Sequence, residues 1–243
     1  VTRLVWEIKT AANKDDEYAW SNAQDEFIDG LNSHSFGGFS NWRLPTAKEL
    51  SSLASSGTHS PAIDDWFPNT QSAEYWSSQP YAASAASAWE VDFLSGTVNY
   101  YEKSTEYLVR AVRAGKYSSS DLVDNDDGTV TDPNTGLTWQ KGTASGTYTW
   151  KEALEYAENL ELAGSTDWRL PNRNELQTLV DYSRFDPAID PLLEEDTQSS
   201  NYWTSTTTDR LTDRAWGVNF NYGRMHGQFK SNAFYVRVVR AGQ

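Results

Sequence analysis

The stretch Trp42-Arg43-Leu44-Pro45, followed by TAKELSSL at positions 46–53, decides the fold of this chain because it occurs twice. It returns 126 residues later as Trp168-Arg169-Leu170-Pro171, followed by NRNELQTL at positions 172–179. Ten of the eleven tryptophans fall into equivalent pairs, which are Trp6 with Trp139, Trp20 with Trp150, Trp42 with Trp168, Trp76 with Trp203, and Trp89 with Trp216. The chain is therefore a tandem duplication of one domain, and Trp66 is the tryptophan without a counterpart.

The spacing of the repeats predicts the domain boundaries. We expect a first domain at 1–116 with a truncated opening strand, a serine-containing linker at 117–123, and a second domain at 124–243. Both are within the common size range of independently folding domains. The period is much longer than that of a solenoid or a propeller, which favours two globular domains. Because the second copy opens with a longer lead-in, we expect either that the chain is part of a longer protein or that the first copy lost its edge strand.

Both copies predict the same order of elements and an α+β fold. Residues 1–10 are predicted to form a strand, because the apolar Leu4 and Trp6 alternate with residues of the opposite face and would point inward. An amphipathic helix follows, and then a shorter helix that begins at a capping box such as Thr46 with Glu49. After a long loop, an antiparallel meander closes the domain. Its last strand, Tyr107 to Arg113 in the first copy, is expected to pair near the first strand.

The composition excludes several classes of function. The net charge is −14, whereas the binding of nucleic acids and polyanionic glycans relies on clustered positive charge. Both are therefore disfavoured as partners. Cysteine is absent, which excludes disulfides, cysteine-metal sites and thiol chemistry. No apolar run approaches the ~20 residues of a membrane span, so membrane insertion is not expected. Neutral sugars, peptides, calcium and cationic surfaces stay open as partners.

The repeated motifs resemble one known family. Three repeated features are similar to motifs of the Lcl C-terminal domain family. They are the WRLP motif with its Glu-Leu helix, the strands Tyr75-Trp76-Ser77-Ser78 and Tyr202-Trp203-Thr204-Ser205, and the closing VRAVRAG and VRVVRAG segments. That family is named for a collagen-like bacterial adhesin, and the resemblance covers almost the whole chain twice. It implies two tandem C-type-lectin-like domains, each with two helices, a small antiparallel sheet and long loops. It also implies glycan recognition at the cell surface or outside the cell, but the acidity of both halves speaks against the family's glycosaminoglycan preference.

Residues that recur in both copies are predicted to form the framework. The indoles of Trp42, Trp168, Trp76 and Trp203 are expected in the core, since large aromatic side chains at equivalent positions serve packing. Six arginines also recur, and they are Arg43, Arg110, Arg113, Arg169, Arg237 and Arg240. They could form an anion pocket, but pairing with Glu49, Glu175 or loop carbonyls is favoured, because a half-buried guanidinium needs such partners.

Residues that differ between the copies are the predicted ligand surface, because the fold does not dictate them. In the first copy they are Asp65, Trp66, Asn69, Tyr81, Asn99, Tyr100 and Tyr101. In the second copy they are Asp209, Arg210, Asp213, Arg214, Asn221, Tyr222, Arg224 and His226. Flat aromatic faces combined with amides and phenols are typical of surfaces that stack sugars or grip peptides. The alternative is ordinary loop packing.

Two acidic segments are candidate calcium sites. Asp124 and Asp126 alternate before Gly128 as oxygen ligands do in a calcium loop, although Thr135 stands where a bidentate glutamate would be needed. In the long loop of the second copy the candidates are Asp190, Glu194 and Asp196. A solvated turn is the alternative at both places, and calcium is the single cofactor that the sequence suggests.

Catalysis is not expected. The three histidines, at positions 34, 59 and 226, have no equivalents between the copies and no metal-ligand spacing, and no nucleophile elbow is present. We therefore predict a non-catalytic, lectin-like module of a bacterial surface or secreted adhesin that binds a glycan. The alternatives are a peptide-docking, protein-docking or structural module and, with less support, a hydrolase on the same fold.

Overall fold

The chain forms two compact units, Val1–Tyr117 and Ser118–Gln243. The computed structural model describes residues 4–55, 57–58, 60–114, 122–209 and 211–241. Of the predicted linker at 117–123, residues 117–121 lie outside this description, and Val123 already begins a strand of the second unit. Each unit combines a few short helices with more numerous strands, so the predicted α+β class is confirmed.

The first unit follows the predicted order of elements. Its strands are β1 (Val5–Trp6), β2 (Glu17–Tyr18), β3 (Glu74–Tyr81), β4 (Ser84–Asp92), β5 (Thr97–Glu102), β6 (Tyr107–Leu108) and β7 (Val112–Arg113). Its helical segments are α1 (Trp20–Asn22), a π-helical segment (Ala23–Ile28), α2 (Asp29–Ser33), a 3-10 turn (Phe36–Gly38) and α3 (Ala47–Ser51). The first three helical segments are continuous and form the predicted amphipathic helix.

The second unit repeats this order with a longer opening hairpin. Its strands are β8 (Val123–Asp124), β9 (Thr129–Asp132), β10 (Leu137–Gln140), β11 (Asn201–Thr207), β12 (Arg214–Asn219), β13 (Arg224–Phe229) and β14 (Val239–Ala241). Its helices are α4 (Trp150–Asn159), α5 (Arg173–Thr178) and α6 (Pro191–Glu194). The predicted return strand that carries Trp139 is β10.

In both units the first and last strands meet. In the first unit β1 pairs with β7 through Trp6 and Val112, and in the second β10 pairs with β14 through Trp139 and Val239. The antiparallel meanders are β3–β4–β5 and β11–β12–β13. The predicted meander was wrong in its members, because its third strand is β3, which carries Tyr75 and Trp76, while the segment 107–113 pairs with β1, β2 and β3 instead. The prediction that the first strand pairs near the last is confirmed.

The recurring indoles form the cores, as predicted. Trp76 and Trp203 are completely buried, and Trp42 and Trp168 are nearly so. One recurring indole N–H finds the same partner in both copies, because Trp76 Nε1 donates to the Tyr18 carbonyl at 2.9 Å and Trp203 Nε1 donates to the Tyr148 carbonyl at 2.8 Å. A buried indole removes roughly 150–250 Å² from water, which stabilises the fold by about 4–6 kcal/mol at most.

Two predictions about strands are wrong. The first strand, which was predicted over residues 1–10, is confined to Val5–Trp6 among the described residues. The predicted alternation of Leu4 and Trp6 is confirmed, because both are half-buried and Val5 is exposed. Beyond the strand Glu7 and Lys9 are fully buried and form an ion pair, with Lys9 Nζ 3.1 Å from Glu7 Oε1. The predicted last strand, 107–113, is divided into β6 and β7, because the chain stops pairing with β2 and β3 and begins to pair with β1.

A candidate ligand-binding cleft

The WRLP motif holds the helix that precedes the long loop. Arg43 and Glu49 form a bidentate pair with two N–O distances of 2.7 Å. Glu49 Oε2 also accepts the Thr46 backbone N–H at 2.9 Å, while the Thr46 hydroxyl accepts the Glu49 N–H at 3.1 Å. The predicted capping box and the predicted arginine–glutamate pair are therefore parts of one network, and Arg169 with Glu175 repeats the bidentate pair.

The loop between α3 and β3 is fixed at several points. Ala54 forms a bridge with Ile63, and the Ala62 N–H donates to the Phe93 carbonyl at 2.6 Å. Further along, the Asn69 side-chain amide donates to the Lys9 carbonyl at 3.0 Å. These bonds tie the loop both to the meander and to the segment after β1, so its shape is set by the fold.

The buried Arg110 supports this loop from below. Its Nη2 donates to the Thr70 hydroxyl at 2.7 Å and its Nη1 to the Glu7 carbonyl at 2.6 Å, which confirms that this arginine pairs with a loop or strand carbonyl. The guanidinium carbon lies 5.2 Å from the centre of the Phe67 ring. Burial lowers the pKa of Arg110, and the charges of Tyr75 and Glu7 oppose that shift. Burial likewise lowers the pKa of Lys9, against the opposing effect of Glu7.

Above these residues lies a cavity of about 500 Å³, here called the loop cleft. Its polar lining residues are Thr58, Ser60, Asp64, Asp65, Asn69 and Thr70. Its apolar lining residues are Pro61, Ile63, Phe67 and Pro68. Hydroxyls, carboxylates and a carboxamide beside a phenyl ring are groups that bind a polyhydroxylated ligand by hydrogen bonds and apolar contact.

Trp66 projects from the segment that lines the loop cleft. A tight turn places it there, since Asp64 Oδ1 accepts the Trp66 N–H at 2.9 Å and the Asp64 carbonyl accepts the Phe67 N–H at 3.0 Å. The Trp66 side chain is 83% exposed. Tryptophan is normally well buried, and an indole presented to solvent beside a polar cavity is a feature of a contact surface.

The structure brings together three of the seven predicted residues of the first copy. Asp65 and Asn69 line the loop cleft, and Trp66 lies between them in the chain. Tyr81 is buried and stacks on Tyr100 with 3.8 Å between the ring centres, so both rings take part in the packing of the sheet. Asn99, Tyr100 and Tyr101 lie on β5 and do not line the cleft, although Tyr101 is exposed.

The predicted residues of the second copy lie on two segments around its meander. Asp209 and Asp213 are exposed, Arg210 lies outside the described residues, and the Arg214 guanidinium packs on Phe229 at 4.2 Å from the ring centre. Asn221 and Tyr222 occupy the turn between β12 and β13, and Arg224 and His226 lie on β13. Burial, and then the charge of Arg224, lower the pKa of His226.

Three of the predicted calcium ligands, Asp124, Asp190 and Glu194, have carboxylates that bind protein groups. Asp124 Oδ2 lies 2.5 Å from Lys141 Nζ and its Oδ1 accepts the Asp126 N–H at 3.1 Å. In the second loop Asp190 caps α6 and Glu194 pairs with Arg184 at 2.5 Å, while the carbonyl of Asp196 accepts the Thr143 hydroxyl. In the part of the chain that the structure describes, no three histidine, aspartate or glutamate side chains are grouped so as to hold a metal ion.

The sequence missed part of the lining because it is shared by the copies. Asp64 recurs as Asp190 and Thr70 as Thr197, so a search for differences passes over them. The segment that contains Asp190 folds differently, since it forms α6 and buries Leu193.

Two units of the same α+β order, one of which carries a polar cleft with an exposed indole, make this chain a tandem pair of small α+β domains. The sequence profile of the Lcl C-terminal domain matches residues 1–113 and again residues 128–240, and the chain belongs to that family. The suspected family and the two copies are thus confirmed, and membership identifies an adhesin-associated bacterial module. No curated protein matches the chain. None of the helices among the described residues is long and apolar enough to cross a bilayer.

Proposed function

We propose that this chain is a non-catalytic, lectin-like part of a bacterial surface or secreted adhesin, and that its first unit binds a neutral glycan in the loop cleft. The observation that carries the proposal is the exposed Trp66 beside a cavity of about 500 Å³ that is lined by carboxylate, amide and hydroxyl groups. The finer fold assignment, a C-type-lectin-like domain, is part of the same proposal.

The chemistry of the cleft favours a neutral sugar. An indole face packs against the C–H groups of a pyranose ring, and Asp65 and Asn69 present acceptors for its hydroxyls. A sulfated or uronic-acid ligand would bring negative charge toward Asp64 and Asp65 in a chain of net charge −14. Repulsion between the ligand's negative charge and these two carboxylates disfavours binding, so we expect polyanionic glycans not to bind in the cleft.

A binding role is favoured over hydrolysis by the engagement of the Asp64 carboxylate. Asp64 Oδ1 is used to hold the turn that presents Trp66, whereas a glycosidase needs two carboxyl groups placed on either side of the bond to be cleaved. Calcium dependence is a separate proposal. It would require the ion pairs of Asp124 with Lys141 and of Glu194 with Arg184 to open.

The test is a glycan array probed with the whole chain and with two variants. Trp66→Ala removes the exposed indole, and because the side chain is so exposed the fold should change by no more than ~0.5 kcal/mol. Phe185→Ala removes an exposed aromatic side chain from the corresponding loop of the second copy and is the matched control. A central tryptophan of an interface contributes ~2 kcal/mol or more, so Trp66→Ala should weaken binding about thirtyfold and the control should not.

The outcomes separate the candidate functions. Binding of neutral glycans that depends on Trp66 supports the proposal, and a matched array in EDTA tests calcium. Binding to peptides or proteins with an empty array would support the docking alternative instead. Release of reducing ends from a bound oligosaccharide would show a hydrolase. Equal binding by the two variants would remove the loop cleft from consideration as the glycan site.

A further inference from the structure

The second unit has a groove of about 530 Å³ along one side of α4, here called the α4 groove. Tyr148, Tyr156, Glu152, Glu155 and Asn159 are among the residues that line it. None of the seven described lining residues is basic. The sequence predicted an amphipathic helix in this region, and we did not expect a ligand site on it.

The two tyrosines are held in fixed orientations. Their ring centres lie 5.3 Å apart with an angle of 44° between the planes. The Tyr148 hydroxyl donates to the Ser145 carbonyl at 2.8 Å, and the Tyr156 hydroxyl accepts the Gln140 side-chain N–H at 3.0 Å. Because both hydroxyls are engaged, the rings are preorganised and lose little conformational entropy when they meet a ligand.

The carboxylates of the groove are exposed and charged. Glu152 accepts the hydroxyl and the backbone N–H of Thr149 at 2.7 and 2.8 Å, and these bonds lower the pKa of Glu152. Glu155 lies one helical turn further along, with Lys151 Nζ at 3.4 Å. Both members of this i,i+4 pair are exposed, and such pairs contribute so little that Glu155 can exchange Lys151 for another cation.

We propose that the α4 groove binds the ammonium group of a lysine side chain on a partner peptide. Aromatic faces attract a cation through the ring quadrupole, and two carboxylates beside them supply charge complementarity. The net charge of −14 adds a long-range attraction for a basic partner. This site lies in the second unit and is independent of the glycan proposal for the first unit.

The first copy supplies a matched control. Its helix starts at Trp20 as α4 starts at Trp150, and at the positions that correspond to Glu155 and Tyr156 it has Asp25 and Glu26. The second tyrosine is therefore missing there, while an exposed carboxylate is retained. Asp25→Asn changes the net charge by the same amount as Glu155→Gln without touching the α4 groove.

The experiment measures the fluorescence anisotropy of a labelled peptide of glycine, serine and lysine, titrated with the whole chain at low ionic strength. We expect Glu155→Gln and Tyr156→Leu each to weaken binding about two- to fivefold, which is the usual range for exposed ion pairs and cation–π contacts. Tyr156→Phe, which keeps the ring, should bind within about twofold of the parent, and circular dichroism reports whether each variant is folded. Asp25→Asn should leave affinity unchanged.

Three outcomes would overturn the proposal. Equal losses for Asp25→Asn and Glu155→Gln would show that the acidic field of the chain attracts the peptide without a specific site. Undiminished binding of a peptide whose lysines are acetylated would show that the ammonium charge is not recognised. Choline and free lysine amide could also displace the peptide at equal concentrations. That result would show a general site for ammonium groups and would overturn the assignment to lysine.

Discussion

Replacement of Glu49 or Glu175 by glutamine is the sharpest test of how the repeated motif stabilises each unit. The two networks are alike in geometry, with 2.7 Å contacts to Arg43 or Arg169 and a backbone N–H bound at 2.9 or 2.8 Å. They differ in exposure. Arg43 and Glu49 have side chains 26% and 0% exposed, whereas Arg169 and Glu175 are 46% and 17% exposed.

The magnitude follows from that difference. A glutamine can keep the oxygen that binds the backbone N–H and one guanidinium nitrogen, but its NH2 group then faces the second guanidinium nitrogen, donor against donor. In the first unit the glutamine leaves a mostly buried arginine half paired, which costs about 3 kcal/mol, at the lower end of the range for a broken buried pair. In the second unit water replaces part of the lost contact, so the free energy of unfolding is expected to fall by only about 1 kcal/mol.

The assay is a urea titration in which hydrogen exchange is followed by mass spectrometry on peptides from each unit. The unfolding free energy of the first unit in Glu49→Gln should fall by about 2 kcal/mol more than that of the second unit in Glu175→Gln, equivalent to about thirtyfold in the equilibrium constant. Losses equal within ~0.5 kcal/mol would refute the reasoning, because burial would then not decide the strength of the pair.

Two further predictions concern the second unit. Gly223 has φ +89°, and a Cβ atom there would lie 2.8 Å from Val180 Cγ1, while Gly136 has φ +71° and open space around it. In urea melts Gly223→Ala should lose about 2–4 kcal/mol and Gly136→Ala about 1 kcal/mol, and similar losses would rule out the steric contact. Because the folded state lowers the pKa of His226 below 6.5, the unfolded chain takes up the proton first as pH falls. Stability should therefore decline below about pH 6.5. In His226→Gln the melting temperature should depend less on pH between about pH 7.5 and 5 than it does in the parent. An unchanged pH dependence would show that His226 is not the group responsible.

The parts of the fold that depend on local chemistry could be predicted from the sequence. The capping boxes of Thr46 with Glu49 and of Asn172 with Glu175 follow from residue types three positions apart, and both are present. The meeting of the first and last strands follows from the repeat itself. The buried Glu7 could not be predicted, because an alternating pattern favours the apolar Leu4 and Trp6 as the inward residues, and the partners of Glu7 are brought together only by tertiary structure.

The candidate site could be predicted in part. Trp66 was found because it lacks a counterpart, and Asp65 and Asn69 lie in the same variable segment. The turn held by Asp64 could not be found in this way, because Asp190 stands at the same place in the second copy and accepts the Leu192 N–H at 2.9 Å as Asp64 accepts the Trp66 N–H. The copies differ in the residue that this turn presents, which is the exposed Trp66 in the first copy and Leu192 in the second, and a comparison of the copies by residue identity reveals only that difference.

The position after the first paired tryptophan shows how one substitution can separate the two copies. In the first unit Glu7 accepts the Ala111 N–H at 3.0 Å and places a negative charge near the buried Arg110. In the second unit Gln140 stands there, and its amide turns to the Tyr156 hydroxyl of the α4 groove. Burial lowers the pKa of Arg237, the counterpart of Arg110, to about 10, and its Nε and Nη1 lack hydrogen-bond partners among the described residues. Tyr202 and Asp196 oppose that shift, so in the second unit other residues compensate the charge of the buried arginine. The amide that stands in place of Glu7 is thereby available to orient the Tyr156 ring of the α4 groove, at a position where the first unit has Glu26.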